Sequence, residues 1–156
     1  MLKFRLFALA NAAAILCIAP PALADNDALE MRLTPTEVAK VPTKTAGAGT
    51  SELPAVITTV LFGDPSKPGL YTIELKVAPN TVIQAHTHRD TRTAIVISGL
   101  WYFAYGPKNE EIGLKVLPPG SFYTEPGGQP HFARTGLEGA VLAITGYGPS
   151  DTVYVK

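Results

Sequence analysis

The sequence has little cysteine, little histidine and no excess of charge of either sign. Its 156 residues include one cysteine, three histidines, 13 basic and 13 acidic residues. Balanced charge provides no basic field for nucleic acid or anionic lipid, and no acidic tail. A single cysteine cannot form an internal disulfide or a cysteine-rich zinc site. The positions of the three histidines therefore become the main guide to function.

Residues 1–24 have the three parts of a secretory signal peptide. Two basic residues precede an apolar run over residues 6–18, and Ala22 and Ala24 supply the small residues of a cleavage site. The run is shorter than the roughly 20 apolar residues that a membrane span needs. We predict cleavage after Ala24, a periplasmic or secreted location, and no membrane association afterwards. The remaining chain would have no cysteine and a net charge of −2, from 11 basic and 13 acidic residues, which argues against nucleic acid as a partner.

The rest of the chain is predicted to divide into an N-terminal extension, residues 25–52, and a β-rich domain, residues 53–156. In the extension, the sequence TPTE at 34–37 predicts the start of one short helix, and the Gly/Ala/Thr/Ser stretch at 45–51 predicts a flexible linker. Later, short β-forming runs alternate with Gly, Pro, Asn and Asp, which predicts an all-β sandwich or small barrel. The predicted strands are 55–62, 70–77, 82–85, 93–98, 100–105, 114–117, 121–124, 131–134 and 141–147.

All three histidines lie in this β-rich domain, at His86, His88 and His131. Residues i and i+2 of a strand project from the same face, so the first two imidazoles can point at one spot about 6–7 Å apart along the chain. That spacing suits two metal bonds of about 2.0–2.2 Å. A third imidazole from a distant strand would complete the set. A single His-x-His alone would more often be an ordinary surface feature.

Two segments around these histidines resemble the two sequence motifs of the cupin superfamily, and especially its small, single-domain, secreted members. The resemblance covers roughly residues 54–148. It implies a cupin double-sheet β-barrel of the jelly-roll type, holding one divalent metal in its interior with His86, His88 and His131 as ligands. The matching positions are His86, His88 and Gly99 in the first segment, and Gly120, Pro126, Gly128 and His131 in the second.

The chain departs from the family at Arg92, which stands where the family has a glutamate ligand, and at Thr135, which replaces an asparagine. An arginine stays protonated and offers only donors, so it cannot coordinate a cation. Three alternatives follow. In the first, a three-histidine site like that of the cupin-fold thiol dioxygenases leaves Arg92 free to bind an anionic substrate. In the second, Glu125 or Asp90 supplies an oxygen atom as a fourth ligand. In the third, the metal site is degenerate and the barrel only binds a small molecule.

Ordinary roles compete with the functional ones at two of these residues. Glu125 is more simply a solvated carboxylate in the turn before Pro126, and Arg92 can equally form an exterior salt bridge. Trp101, Phe103 and Tyr105 alternate along one strand face; we favour a core or dimer-interface role for them over the lining of a binding cavity.

Together these features predict a metal-binding cupin that acts as an oxygenase, or as a lyase or isomerase, on a small metabolite. The alternative is a non-catalytic module that binds or senses a small molecule or a metal. The candidate catalytic residues are Arg92 and Tyr123, which would orient an anion. The donor set accepts iron, manganese, nickel, copper or zinc. Because both faces of the strand at 93–98 are apolar, we also predict a homodimer.

Overall fold

The computed structural model describes residues 30–156, and these residues are mostly β-strand. The predicted signal peptide, residues 1–24, and the first residues of the extension lie outside the described residues. In the part of the chain that is described, no helix has the length and apolar character needed to cross a membrane. The elements are α1 (Pro35–Val38), β1 (Thr43–Lys44), β2 (Val56–Phe62), β3 (Gly69–Val77), β4 (Val82–Thr87), β5 (Arg92–Tyr105), β6 (Lys115–Leu117), β7 (Phe122–Glu125), β8 (His131–Gly148) and β9 (Val153–Tyr154).

Strands β5 and β8 are long, pair with each other in antiparallel register, and organise the fold. Strand β8 also pairs with β3 and β4, and β5 also pairs with β6 and β7. The first residues of β8 pair with β4, and His131 lies opposite His86 there. The last residues of β8 pair with β3, and Gly146 lies opposite Tyr71 there. The antiparallel strands therefore curl into the predicted all-β double-sheet barrel.

Each long strand replaces two strands that were predicted separately. The sequence predicts breaks at Ser98-Gly99 and at residues 135–140, but the chain bends there without leaving the sheet. At Gly99 the backbone has φ +74°, and the register against β8 shifts on both sides of it. A Cβ at this position would collide with the backbone carbonyl of Gly139. A glycine bulge of this kind lets a strand change direction while its ladder continues.

From Ala94 onwards the interior face of β5 is apolar, whereas isoleucine side chains on its exterior face stay half-exposed among the described residues. Ala94 and Val96 are each 1% exposed, whereas Ile95 and Ile97 are each 49% exposed. The aromatic residues Trp101 and Phe103 continue the interior row and belong to the main core cluster. Packing in the core, the role favoured for this aromatic face, is thus confirmed for these two rings.

The N-terminal extension is partly ordered against the domain. Glu37 accepts hydrogen bonds at 2.7 Å from both the backbone N–H and the hydroxyl of Thr34, which confirms the predicted helix start. Strand β1 pairs with β2. Thr50 and Ser51 are buried, and the carbonyl of Thr50 accepts a hydrogen bond from Thr152 at 2.7 Å. Thr50 and Ser51, at the end of the linker predicted at 45–51, are thus held by side chains of the C-terminal segment.

Candidate metal centre

The three histidines come together inside the barrel. His86 lies near the end of β4, His88 follows β4 directly, and His131 begins β8 opposite His86. Their ring centroids are 4.8 Å apart for His86 and His88, 4.4 Å for His86 and His131, and 5.1 Å for His88 and His131. The three side chains belong to residues that are 1–5% exposed. Strand alternation and one cross-strand pair are therefore sufficient to cluster all the imidazoles of the chain.

Each ring is oriented by a hydrogen bond from Nδ1 to a backbone carbonyl. Since a carbonyl only accepts, Nδ1 carries the proton of the neutral ring and Nε2 keeps a lone pair. Partners of this type fix ring orientation and raise the basicity of metal-ligating histidines. The three bonds are His86 Nδ1 to Gln84 O at 2.7 Å, His88 Nδ1 to Asp151 O at 2.5 Å, and His131 Nδ1 to Gln129 O at 3.0 Å.

The arrangement of nitrogen atoms fits a metal ion. One ligand atom from each histidine lies within 4.8 Å of the other two. Two ligand atoms on one tetrahedral ion with bonds of about 2.1 Å are about 3.4 Å apart, so the rings would move together by up to about 1.4 Å to share an ion. The Nε2 atom of His131 is buried and has no hydrogen-bond partner among the described residues. A buried acceptor without a partner is costly, and a metal ion would satisfy it. The site therefore fits the divalent metal implied by the sequence resemblance.

Burial keeps these imidazoles neutral, which metal binding requires. Burial is the largest cause of a low pKa at each of the three rings. It acts with the neighbouring His131 to lower the pKa of His86 to about 4, and with the nearby Arg92 charge to lower the pKa of His88 to about 2. The pKa of His131 is also lowered, mainly by burial. At neutral pH all three rings offer lone pairs rather than positive charges.

Arg92 and Glu125 form a buried ion pair beside the histidines. They lie directly opposite each other on β5 and β7, and each residue is 4% exposed. The Arg92 Nε donates to Glu125 Oε2 at 2.6 Å, and Nη2 contacts the same oxygen. The solvated-turn role for Glu125 and the exterior salt bridge for Arg92 are therefore wrong. Both charges leave the solvent because the register of β5 and β7 points them into the barrel.

The pair borders the histidines directly. Glu125 Oε2 lies 3.8 Å from His88 Nε2, and Glu125 Oε1 lies 3.8 Å from His131 Nε2. Burial alone would raise the pKa of Glu125, but the Arg92 charge leads the opposing effects and the pKa falls to about 2. Burial would lower the pKa of Arg92, but Glu125 outweighs it and the pKa is raised. Both groups thus remain charged at neutral pH.

Asp90, the other candidate oxygen ligand, is engaged elsewhere. Its Oδ2 accepts a hydrogen bond from the Tyr71 hydroxyl at 2.6 Å. Burial is the main cause that raises the pKa of Tyr71 to about 12, so the phenol stays protonated as the donor. Among the described residues, the cluster of side-chain atoms close enough to hold a metal contains the three histidines, and neither Asp90 nor Glu125.

Aromatic rings form the wall next to His131. The Phe103 ring centroid lies 5.5 Å from that of His131 and 4.4 Å from that of Tyr123. The Tyr123 hydroxyl has no hydrogen-bond partner among the described residues, and burial, its largest cause, raises its pKa well above the usual value. The phenol is therefore a neutral group. A cavity of about 420 Å³ lies against this wall; its lining includes Phe103, Tyr105, Lys115, Leu117, Phe122 and Tyr123.

Some of the groups that position the site were not identified from the sequence. The carbonyls of Gln84 and Gln129 each stand two residues before a histidine, and the repeated Gln-x-His pattern was a signal for them. The carbonyl of Asp151 has no such signal, because it lies 63 residues from His88 in the chain. The pairing of Arg92 with Glu125 depends on strand register. The sequence indicated each residue as a candidate for the site, but it did not predict that the two form a pair.

The fold of this chain is similar to the folds of solved structures. No protein-family model matches the sequence, and no curated protein sequence matches it. The chain is similar to an RmlC-like cupin from Shewanella frigidimarina NCIMB 400, with 16% identity, a TM-score of 0.54, and coverage of 70% of this chain and 85% of that one. It is also similar to the polyketide cyclase RemF from Streptomyces resistomycificus, with 18% identity, a TM-score of 0.63, and coverage of 81% and 86%.

A third similar structure is a variant of the oxalate decarboxylase from Bacillus subtilis, with 16% identity and a TM-score of 0.52. The match covers 72% of this chain but 28% of that one. The first of these structures is described as a cupin, and the chain shares the fold of all three. The cupin-type β-barrel fold that the sequence resemblance implied is confirmed.

Proposed function

We propose that this protein binds one divalent transition-metal ion through His86, His88 and His131, and uses it to bind a small oxygen-bearing molecule. The observation that carries the proposal is the shared orientation of the three rings. All three direct Nδ1 at backbone carbonyls, so the three Nε2 atoms are unprotonated and lie in one buried cluster. Iron, manganese, nickel, copper and zinc all accept imidazole ligands, so the donor set does not select among them.

We favour an enzymatic activity: the protein would be a metal-dependent oxygenase, or a metal-dependent lyase or isomerase. A bound ion with open positions would polarise a substrate oxygen, lower the pKa of a bound water or engage dioxygen. The residues of this chain would supply the surroundings. Glu125 provides a fixed negative charge 3.8 Å from two of the imidazole nitrogens, and the phenol of Tyr123 stays neutral, able to donate a hydrogen bond to a substrate oxygen.

Arg92 fits the role of substrate clamp poorly. Its Nε and Nη2 atoms already bond to Glu125, and Nη2 also bonds to His88. A guanidinium that is neutralised inside the protein has little attraction left for a carboxylate. We therefore place Arg92 among the groups that position the site, and keep Tyr123 as the candidate that touches substrate.

The competing function is a non-catalytic module that binds or senses a metal or a small molecule. The observation in its favour is the hydrogen-bond network of Arg92, Glu125 and His88, in which Arg92 occupies the Nε2 lone pair of His88. Catalysis needs an accessible open position on the ion, whereas a binding module does not. Oxygen uptake and product formation across a panel of small hydroxy, keto and carboxylic acids would distinguish the two.

Elemental analysis of the purified protein tests the metal proposal. We expect about one metal ion per chain after loading, and loss of that ion in the variants His86→Ala and His131→Ala. Tyr147→Ala, at a residue that is 67% exposed, is a control that should retain the ion. Absence of stoichiometric metal in the loaded wild-type protein, with unchanged stability of the histidine variants, would refute the proposal.

Export is part of the proposal and rests on the sequence of residues 1–24. The expected mature protein begins at Asp25 and is found in the periplasm or the medium. N-terminal sequencing of the protein recovered from these fractions tests it; intact residues 1–24 on a cytoplasmic product would contradict it.

A further inference from the structure

The three histidines differ in what their Nε2 atoms contact. The Nε2 of His131 has no hydrogen-bond partner among the described residues. The Nε2 of His88 accepts a hydrogen bond from Arg92 Nη2 at 2.5 Å. Since the Nδ1 of His88 is bonded to a carbonyl, Nε2 is the atom that must bind the metal. The atom needed for coordination is therefore already occupied by a side chain of the same protein.

The two partners of His88 exclude each other. A neutral imidazole nitrogen has one lone pair, which accepts either one N–H or one metal bond. Arginine cannot release the atom by losing its proton, because it stays protonated in proteins. Arg92 must therefore move away from His88 before the metal can complete its third bond to nitrogen.

Arg92 can move away from His88 and still remain bonded to Glu125. The carboxylate bonds to Arg92 through both Nε and Nη2, and only Nη2 is shared with His88. A rotation that removes Nη2 from His88 can leave the bond between Nε and Glu125 intact. Arg92 and Glu125 are direct neighbours across β5 and β7, so this rotation needs no change of strand register.

We propose that Arg92 is a built-in competitor for the metal at His88, and that it lowers the affinity of the site by holding the ligand atom in the metal-free protein. This inference rests on the proposed metal binding through the three histidines. The site then has two forms, one with Arg92 on both His88 and Glu125, and one with the metal on His88 and Arg92 on Glu125 alone. Arg92 is a positioning residue in this scheme and touches no substrate.

The test compares zinc affinity in variants that remove the competitor without changing the local net charge. The double variant R92M/E125Q deletes one positive and one negative charge, so long-range attraction for the ion is unchanged. We expect the dissociation constant for Zn²⁺, measured by competition with a chromophoric chelator, to fall at least tenfold. R134M is the matched control, because Arg134 pairs with Glu111 at the surface, and it should leave the constant unchanged.

The gain in zinc affinity must depend on His88. In an H88A background, R92M/E125Q should change the dissociation constant by less than about twofold, because the contested lone pair is gone. A gain that persists without His88 would overturn the proposal, as would unchanged affinity in R92M/E125Q with His88 present. If the wild-type protein binds neither zinc nor iron, manganese, nickel or copper, the proposed function fails together with this inference; if it binds zinc but R92M/E125Q shows no gain, only this inference fails.

A measurement on the wild-type protein avoids any folding defect of the variants. The side-chain nitrogen resonances of His88 and Arg92 can be followed by NMR as Zn²⁺ is added. We expect the Nε2 resonance of His88 and the Nη2 protons of Arg92 to change together, while the Nε–H of Arg92 keeps its hydrogen-bonded shift. A saturated site with an unchanged Arg92 Nη2 signal would overturn the proposal.

Discussion

Arg92 and Glu125 lie opposite each other on β5 and β7 and form an ion pair inside the barrel, with Nε and Oε2 2.6 Å apart. The family that the sequence resembles has a carboxylate at the position of Arg92. In this chain the carboxylate stands across the strand pair instead, 3.8 Å from imidazole nitrogens of His88 and His131. A negative charge is thus kept beside the histidines although its usual position carries the opposite charge.

Removing one member of this pair should destabilise the protein far more than removing both. Glu125→Ala leaves the guanidinium of Arg92 buried without its partner, and the loss for a broken buried pair is about 3–5 kcal/mol in the free energy of unfolding. R92M/E125Q removes both charges and should lose less stability than Glu125→Ala, because it leaves no uncompensated charge buried. Urea unfolding of the metal-free proteins measures both values. Equal losses in the single and double variants would contradict this account of the pair.

The histidine cluster was accessible from the sequence because its geometry is local or repeated. His86 and His88 share a face through the two-residue period of a strand, and two motif spacings connect them with His131. The Arg92–Glu125 pair was not accessible, since 33 residues separate its members and only strand register brings them together. The sequence around Glu125 favoured a solvent-exposed role, and Arg92 was equally compatible with one, because charged residues are usually exposed.

Strand boundaries were predicted well where turns end a strand and poorly where glycine bends one. Pro118-Pro-Gly120 separates β6 from β7 as predicted. Ser98-Gly99 looked like a similar break, but β5 continues through it. The difference lies in Gly99, whose backbone passes close to Gly139 of β8. A close approach between two strands cannot be recognised from the residues of either strand alone.

The buried bond between Tyr71 and Asp90 should make Gly146 sensitive to substitution. A Cβ at Gly146 would lie 2.5 Å from the Tyr71 hydroxyl oxygen and 2.6 Å from Asp90 Oδ2, closer than real Cβ atoms approach other atoms. Gly146→Ala should therefore force the pair apart and leave a buried carboxylate without its donor, a loss of about 1–3 kcal/mol or more. Thermal unfolding measures the effect.

Gly113→Ala is the matched control for the space around the side chain. Nothing lies within 4 Å of a Cβ at Gly113, although its φ of +95° adds some backbone strain. We expect it to be milder than Gly146→Ala. Tyr71→Phe removes the donor by itself, so adding Gly146→Ala to it should cost less than Gly146→Ala costs in the wild-type protein; fully additive losses would show that another contact is responsible.

The predicted homodimer should form through the outer face of β5. Ile95 projects outwards between Phe122 of β7 and Ala143 of β8, and Ile95 and Phe122 are 49% and 62% exposed. Ile95→Lys should convert the dimer to a monomer, because a lysine in the centre of an apolar interface is costly to desolvate. Light scattering measures the mass. Ile112→Lys is the control, since Ile112 lies outside the strands and is 89% exposed; a monomeric wild type would refute the prediction.

Acid should destabilise the metal-free protein in the range set by the buried histidines. The pKa of His86 is about 4 in the folded chain against an ordinary value of 6.5, so between these values the unfolded chain binds the proton and the folded chain does not. The free energy of unfolding then falls as pH falls. The loss from His86 alone is about 3 kcal/mol by pH 4, at about 1.4 kcal/mol for each pH unit between the two values.

Glu125 contributes in a lower range and can be separated from this effect. Its pKa is about 2 when folded and 4.5 ordinarily, so the stability it provides is complete above about pH 4.5 and is lost only below it. Urea unfolding of chelator-treated protein from pH 7 to pH 5 therefore reports the histidines. The variant His86→Gln should show a smaller slope over this range; a wild-type stability independent of pH there would mean that the histidines are not held neutral by burial.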